Sequence, residues 1–142
     1  MTSYVEHINM TVSDTGAAIA FIQTAVPDFR IRNRWHDDGY EWTHIGTDTS
    51  YIALMRPLAG AGAAVRHDTN RPGYNHVCIV VESVEAVERS LSKAGYTRGF
   101  NNGEVIATKV RKSVYFHDPD GNEFEFMQYL TVDREARNSY EI

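Results

Sequence analysis

Two histidines and one glutamate have the side-chain types and positions of metal ligands. His7 and His76 each begin a short apolar run, HINMTV and HVCIVV, and Glu125 lies in the stretch YFHDPDGNEFEF. Alternate side chains of a strand point to opposite faces, so all three are expected opposite the apolar residues of their own strands. Two imidazoles and one carboxylate leave open positions on a divalent metal such as zinc, manganese, iron, nickel or cobalt. Alone, each residue is more often an ordinary polar residue; their joint placement predicts a metal site.

An internal repeat would position these residues. The segment from His7 and the segment from His76 align without a gap at an offset of 69 residues. Each reads as a histidine, a strand and then a helix, with N-cap residues Asp14 and Ser83 at equivalent places. The two helices are expected to end at Pro27 and Gly95.

Strand-like segments follow each predicted helix and complete the order β-α-β-β-β in both halves. They are RIRNRWHD, YEWTHIGT and SYIALMRP in the first half, and TRGFNN, VIATKVRKSVYFHD and NEFEFMQYL in the second. The predicted fold class is α+β, with two βαβββ modules that form a cupped mixed sheet with the helices outside. One domain of residues 1–142 is expected, made of module one (4–57), a linker (58–73), module two (74–131) and a tail (132–142).

Several other side chains could take part in chemistry. His44, Glu41 and Tyr51 are candidate general bases, and His36, Tyr40 and His117 could contact a substrate or a metal, although strand-surface positions explain them as well. The segment Asp118–Gly121 reads most simply as a tight turn. Six basic residues could bind an anionic substrate, although most cations of a small protein are simply solvated: Arg56, Arg66, Arg71, Lys109, Arg111 and Lys112.

Composition excludes several classes of function. The chain has 14 basic and 19 acidic side chains, a formal charge of −5, which gives no basic surface for nucleic acid. No segment has the length and apolarity of a membrane span or a signal peptide. The only cysteine, Cys78, lies in an apolar run and has no partner for an intrachain disulfide, which suits a reducing compartment. A cytoplasmic protein without a nucleic-acid or membrane partner is therefore expected.

The chain resembles the vicinal oxygen chelate superfamily, which includes glyoxalases, bleomycin resistance proteins and extradiol dioxygenases. The resemblance covers Tyr4 to Leu130 and rests on HINMTV and HVCIVV, which open the modules, and on YFHDPDGNEFEF, which closes the second. It implies a divalent metal on His7, His76 and Glu125 that chelates neighbouring oxygens of a small substrate, and a homodimer. Glyoxalase-like members usually have a fourth ligand, a glutamate, on the last strand of the first module, but here Ala53 or a close neighbour stands there.

Two classes of function follow from the resemblance. The first is a metal-dependent enzyme with glyoxalase-like lyase or isomerase, dioxygenase or thiol-transferase chemistry. The second is a protein of the bleomycin-resistance type, which sequesters a small molecule without turnover. That branch normally lacks the histidines, so their presence favours the enzyme.

Overall fold

The computed structural model describes residues 3–63, 70 and 72–138. The chain divides into two compact units, Met1–Ala64 (unit 1) and Val65–Ile142 (unit 2). Two of the basic residues considered above, Arg66 and Arg71, lie outside the described residues, as do residues 64–69 of the predicted linker and 139–142 of the predicted tail.

Unit 1 is a βαβββ module with one four-stranded mixed sheet. The sheet order is β1-β4-β3-β2; β1 and β4 are parallel, and the other neighbours are antiparallel. This is the first predicted module. Its elements are β1 (His7–Thr11), α1 (Thr15–Ala25), β2 (Arg30–Asp37), β3 (Tyr40–Gly46) and β4 (Tyr51–Pro57).

Unit 2 repeats the same order and pairing. Its sheet order is β5-β8-β7-β6, and again the first and last strands of the module, β5 and β8, pair in parallel. The two sheets and three helices confirm the predicted α+β class. Its elements are β5 (Val77–Val80), α2 (Val84–Lys93), a 3₁₀ segment (Phe100–Gly103), β6 (Ile106–Ala107), β7 (Arg111–His117), β8 (Glu123–Tyr129) and α3 (Arg134–Arg137).

Both long helices begin at the predicted caps. The carboxylate of Asp14 accepts a hydrogen bond from the Ala17 amide at 2.8 Å, and the Ser83 hydroxyl accepts one from the Ala86 amide at 3.2 Å. Each bond satisfies one amide that the first helical turn leaves free. Helix α1 ends two residues before Pro27 and α2 ends two residues before Gly95, whose φ of +81° suits glycine.

Each sheet has one face that carries a core. In unit 1 this core face includes Thr43, Ile45, Ile52 and Leu54, all at most 3% exposed. In unit 2 it includes Val114, Phe116, Phe124 and Phe126, all at most 1% exposed. Strand alternation then places the neighbouring residues, Glu125 among them, on the opposite face of each sheet.

One predicted strand is wrong. The segment TRGFNN, Thr97–Asn102, contributes only an isolated bridge between Arg98 and Phe116 and then enters the 3₁₀ segment. Asn101, Asn102 and Gly103 all have positive φ, which extended strands do not tolerate. The second strand of the module is instead β6, whose two residues come from the start of the segment predicted as one long strand.

Candidate metal centre

Two of the predicted ligands meet within unit 2. His76 directly precedes β5, Glu125 lies in the middle of β8, and these two strands are neighbours. The Nε2 atom of His76 lies 2.9 Å from Oε2 of Glu125. Glu125 is only 7% exposed, although its neighbours Phe124 and Phe126 point to the core face. Glu125 is thus a buried carboxylate outside the core, paired with an imidazole.

The separation of these two atoms fits a shared metal ion. Two ligand atoms about 2.1 Å from one ion are about 3.0 Å apart at the right angle of octahedral coordination and about 3.4 Å apart at a tetrahedral angle. The observed 2.9 Å between His76 Nε2 and Glu125 Oε2 is close to the right-angle value, and it is also the length of an ordinary hydrogen bond. A nitrogen and a carboxylate oxygen are both ordinary ligands of zinc, manganese, iron and nickel. The pair therefore supplies two of the three predicted ligands at a spacing compatible with a shared ion.

The residue that precedes each of the two histidines, His7 and His76, lies within hydrogen-bond distance of the Nδ1 atom of the ring. His76 Nδ1 lies 2.9 Å from Oδ1 of Asn75, and His7 Nδ1 lies 3.1 Å from Oε2 of Glu6. Each oxygen can accept a hydrogen bond from Nδ1–H, and in that tautomer Nε2 is left for a ligand. In His76 the unprotonated Nε2 would face a carboxylate oxygen, an arrangement that a proton or a cation between them must stabilise.

Three side chains lie in one row across unit 2. Glu125 is directly paired with Cys78 on one side and with Tyr115 on the other. The Tyr115 ring also stands edge-on to His76, with centroids 5.5 Å apart. Burial and interaction with the Glu125 carboxylate raise the pKa of the Tyr115 hydroxyl, so it is protonated at neutral pH and can donate a hydrogen bond. The carboxylate therefore stands between a thiol and a phenol.

Cys78 is exposed, although the apolar run around it suggested a packed residue. It is a free cysteine and an exposed residue, because alternation puts it on the face opposite Val77 and Ile79. Enclosure of its sulfur by neighbouring groups and the nearby Glu125 carboxylate raise the pKa of the thiol to about 12. The thiol is therefore protonated at neutral pH.

The third predicted ligand, His7, lies in unit 1 among aromatic side chains. Its ring stacks on Tyr51 with centroids 4.8 Å apart, and the His44 ring lies 4.4 Å from the same tyrosine ring. Burial, followed by the charges of Arg32 and His7, lowers the pKa of His44. His44 is therefore neutral at pH 7 and able to accept a proton. The structure brings His7, His44 and Tyr51 together on one face.

Strand pairing identifies the residue that stands where a second glutamate would be. In unit 2 Glu125 pairs with Cys78, the second residue after His76. In unit 1 the equivalent residue, Asn9, pairs with Ala53. Ala53 is thus the register equivalent of Glu125, and β4 supplies no carboxylate at this position.

Glu41 is separated from the other candidate bases. It lies between Tyr40 and Trp42 on β3, so alternation places it on the face opposite His44. Its carboxylate accepts a hydrogen bond from Arg56 at 2.7 Å, and this bond lowers the pKa of Glu41. His36 is its cross-strand partner. Glu41 and Arg56 thus form an ion pair away from His7.

Two further candidates also have partners within unit 2. His117 lies 3.6 Å from Glu123, whose carboxylate also accepts a hydrogen bond from the Phe100 amide. Lys112 is half-buried and donates a hydrogen bond to Glu85 at 2.5 Å, so its charge is paired within unit 2. In the turn, the Asp118 carboxylate accepts bonds from the Asp120 and Asn122 amides, which confirms that this segment closes the hairpin.

The sequence interpretation missed a row of rings across unit 1. Six side chains form this aromatic row, and each contacts the next. Trp35 and Trp42 stack with centroids 5.8 Å apart and planes within 6°. Strand alternation in YEWTHIGT could have revealed part of it, since Tyr40, Trp42 and His44 recur at every second position. In the order of their contacts, its members are His7, Tyr51, His44, Trp35, Trp42 and Tyr40.

A glycine permits this arrangement at the turn between β3 and β4. Gly46 pairs directly with Tyr51. A Cβ atom at Gly46 would lie 2.8 Å from Tyr51 Cβ and would also collide with backbone atoms of residues 50 and 51. The Tyr51 ring, which contacts both histidines, depends on this close approach.

Among the described residues, no three histidine, cysteine, aspartate or glutamate side chains form a cluster that could hold a metal ion. His7 belongs to unit 1, whereas His76 and Glu125 belong to unit 2, so the complete triad stays a prediction. In the described part of the chain, no helix is both long and apolar enough to cross a membrane.

The chain belongs to the Glyoxalase/Bleomycin resistance protein/Dioxygenase superfamily. The model of this family matches residues 4–126, which include module one, most of module two and the HDPDGNEFEF segment. Membership confirms the resemblance inferred from the sequence. A search of curated proteins gave no significant match.

Solved structures share the fold at low sequence identity. A glyoxylase/bleomycin resistance protein/dioxygenase domain from Frankia sp. EAN1pec is 22% identical with a TM-score of 0.73, over 96% of this chain and 99% of that one. A mutant of the fosfomycin resistance protein FosX from Listeria monocytogenes, complexed with Mn(II) and 1S,2S-dihydroxypropylphosphonic acid, is 20% identical with a TM-score of 0.69, over 98% and 100%. The trypanothione-dependent glyoxalase I of Leishmania major is 18% identical with a TM-score of 0.73, over 96% and 94%.

Proposed function

We propose that this chain is a divalent-metal-dependent enzyme that acts on a small substrate with neighbouring oxygen atoms. His7, His76 and Glu125 are the proposed ligands, and the metal is zinc, manganese, iron, nickel or cobalt. The observation that carries the proposal is the 2.9 Å approach of His76 Nε2 to the buried Glu125 carboxylate. The Nδ1 partners of both histidines support it, since each leaves Nε2 available to an ion.

The residues of unit 1 supply proton-transfer groups in this proposal. A bound metal would polarise a substrate oxygen and stabilise negative charge on it. His44 is the proposed general base, because its lowered pKa keeps it unprotonated at neutral pH. Tyr51 lies against His44 and orients its ring. Glu41 is not included, since it faces the other side of the sheet in an ion pair with Arg56.

Metal analysis of the purified protein tests the ligand set. The His7→Ala, His76→Ala and Glu125→Ala variants are each expected to hold less metal than the wild type, whereas His36→Ala, on β2, is expected to hold the same amount. Wild-type metal content in all three ligand variants would contradict the assignment.

Reaction class is tested by turnover. The metal-loaded protein is incubated with thiol hemiacetals, catechols and epoxides, which represent lyase or isomerase, dioxygenase and thiol-transferase chemistry. If one class of substrate yields product and the Glu125→Ala variant no longer forms it, the result supports an enzyme of the corresponding reaction class. Loss of turnover in His44→Gln with unchanged metal content supports His44 as the base.

A second candidate function is sequestration of a small molecule without turnover, as in the bleomycin-resistance branch. The aromatic row favours it, because it offers a broad surface for a flat ligand. Stoichiometric binding without product from any of the three substrate classes would favour this function. By resemblance we also propose a homodimer, which analytical ultracentrifugation would test. From the single cysteine, which suits a reducing compartment, we propose a cytoplasmic location.

A further inference from the structure

The aromatic row of unit 1 extends well beyond the one proposed ligand that belongs to it. Trp35, Tyr40 and Trp42 are on the side of the sheet formed by β2 and β3, whereas His7 is on β1 at the far edge. Both tryptophans are only partly buried, and Tyr40 is 37% exposed. Coordination of a metal by His7 requires none of these three rings.

A local irregularity in β2 brings a cation to the same row. The pairing of β2 with β3 shifts register between Ile31 and Asn33, so Arg32 is an extra residue without a cross-strand partner. Such bulges redirect a side chain and occur next to binding sites. Here the Arg32 guanidinium carbon lies 4.3 Å from the centroid of the Tyr51 ring, so the bulged residue points at the row.

The charge of Arg32 has no acidic partner among the described residues. Its neighbour on the strand, Arg30, pairs with Asp48, and Arg34 bonds to the Thr43 hydroxyl on the core face. Arg32 instead lies near the His44 imidazole, on which its charge acts together with those of His7 and Glu6, and the Glu6 carboxylate lies 3.1 Å from Nδ1 of His7. A cation held over a ring and not hydrogen-bonded to a carboxylate attracts an anion.

The chemistry of the row indicates which kind of ligand it would bind. The Trp35 and Trp42 rings stack at one end, and the Arg32 guanidinium lies over the Tyr51 ring further along. Indole faces bind flat aromatic groups, and a guanidinium binds a carboxylate through two parallel hydrogen bonds. We propose that the aromatic row and Arg32 form a subsite for a planar aromatic ligand with an anionic group such as a carboxylate. This deepens the proposed function, on which it rests for the identity of the ligand as a substrate.

Cross-strand pairing of aromatic residues also stabilises sheets, and this structural role alone would account for the ring contacts. It would not account for a bulge that brings an unpaired guanidinium to them. The two explanations differ in a measurable way, because only a subsite distinguishes an aromatic anion from an aromatic amide or an aliphatic anion.

The chain is well suited to the measurement, since its only two tryptophans, Trp35 and Trp42, both lie in the row. Calorimetry with 4-nitrobenzoate, 4-nitrobenzamide and cyclohexanecarboxylate gives the affinities, and quenching of tryptophan fluorescence by the nitro compounds reports contact with the row. We expect 4-nitrobenzoate to bind at least about tenfold more tightly than the other two, since one charged hydrogen-bonded contact is equivalent to a factor of about ten.

Two arginine variants separate the charge from the stacking. Arg32→Gln is expected to weaken 4-nitrobenzoate about tenfold and to leave 4-nitrobenzamide unchanged. Arg30→Gln, two residues away and paired with Asp48, is the matched control and is expected to bind like the wild type. Trp35→Leu is expected to weaken both nitro compounds. Circular dichroism establishes that each variant is folded.

Equal affinity for 4-nitrobenzoate and cyclohexanecarboxylate, or an Arg32→Gln variant that binds 4-nitrobenzoate like the wild type, would overturn the subsite. The titrations are repeated in chelator and after metal loading. A preference for 4-nitrobenzoate that persists in chelator supports the subsite, even if the His7→Ala, His76→Ala and Glu125→Ala variants retain metal. Failure of the metal assignment and failure of the subsite therefore give different results.

Discussion

Glu125 offers a direct test because removal of its charge should affect the metal-loaded protein far more than the metal-free protein. The carboxylate is 7% exposed and pairs with His76 at 2.9 Å. Burial of a charge is costly unless a partner offsets it. Glu125→Gln keeps the shape and can still bond to His76, but it removes the charge that a divalent ion requires. We therefore expect little change in the metal-free protein and a large loss of stabilisation by metal.

The expected shifts follow from binding linkage. Metal at 100 times its dissociation constant stabilises the folded state by about 2.7 kcal/mol. For a chain of this length, 1 kcal/mol corresponds to about 3 °C in Tm, so the wild type should gain about 8 °C. If the amide binds metal about 100-fold more weakly, the same concentration gives about 0.4 kcal/mol, or about 1 °C. Without metal, Tm of the variant should lie within about 3 °C of the wild type, a change of about 1 kcal/mol.

Differential scanning calorimetry with and without metal measures both shifts. Glu123→Gln is the matched control, because it removes a carboxylate from the same strand and the same face, two residues away. It is expected to keep the metal-dependent gain of the wild type. A full gain in Glu125→Gln would refute ligation by this residue, and an equal loss in Glu123→Gln would show that the effect is one of overall charge.

Four further predictions follow from other features. Gly46→Ala should lower the free energy of unfolding by at least about 2 kcal/mol in urea titration, because the new Cβ meets backbone; Gly62→Ala, with open space around it, should not. Ser83→Ala should cost about 1 kcal/mol through its lost cap, and an effect near zero in thermal unfolding would show that the bond at 3.2 Å contributes nothing. Glu41→Gln should cost at most about 1 kcal/mol at pH 7, a difference that disappears as pH falls through the lowered pKa of Glu41; altered metal content would instead place Glu41 in the site. Alkylation of Cys78 by iodoacetamide at pH 8 should be at least about 100-fold slower than that of free cysteine, since a thiol of pKa about 12 is almost wholly protonated there, and a normal rate would contradict the raised pKa.

Much of the fold is predictable because the sequence contains an internal repeat of the same module. A histidine, an apolar alternation, a cap and a helical stripe recur in both halves, and strand alternation then assigns Glu125 to the face opposite Phe124 and Phe126. The pairing of Glu125 with His76 follows from the neighbouring positions of β5 and β8. The HDPDG turn is predictable from its proline and glycine alone.

The failures have local physical causes. Three successive residues of positive φ, Asn101 to Gly103, replace a predicted strand, and the dipeptide Asn-Gly is itself a turn signal. The role of Glu41 as a base stays a prediction, although strand alternation places it on the face opposite His44. The position of Arg32 depends on a bulge, and no sequence pattern here marks the single extra residue.

The parallel pairing that closes each unit has a consequence for folding. His76 and Glu125 are 49 residues apart in the chain and meet only when β8 docks beside β5. Joining such distant segments is slow, because the loop between them must be ordered first. An ion that bound this pair would hold the first and last strands of the unit together and would slow their separation. Amide hydrogen exchange in β5 and β8 should then slow on addition of metal, while exchange in α3 stays unchanged.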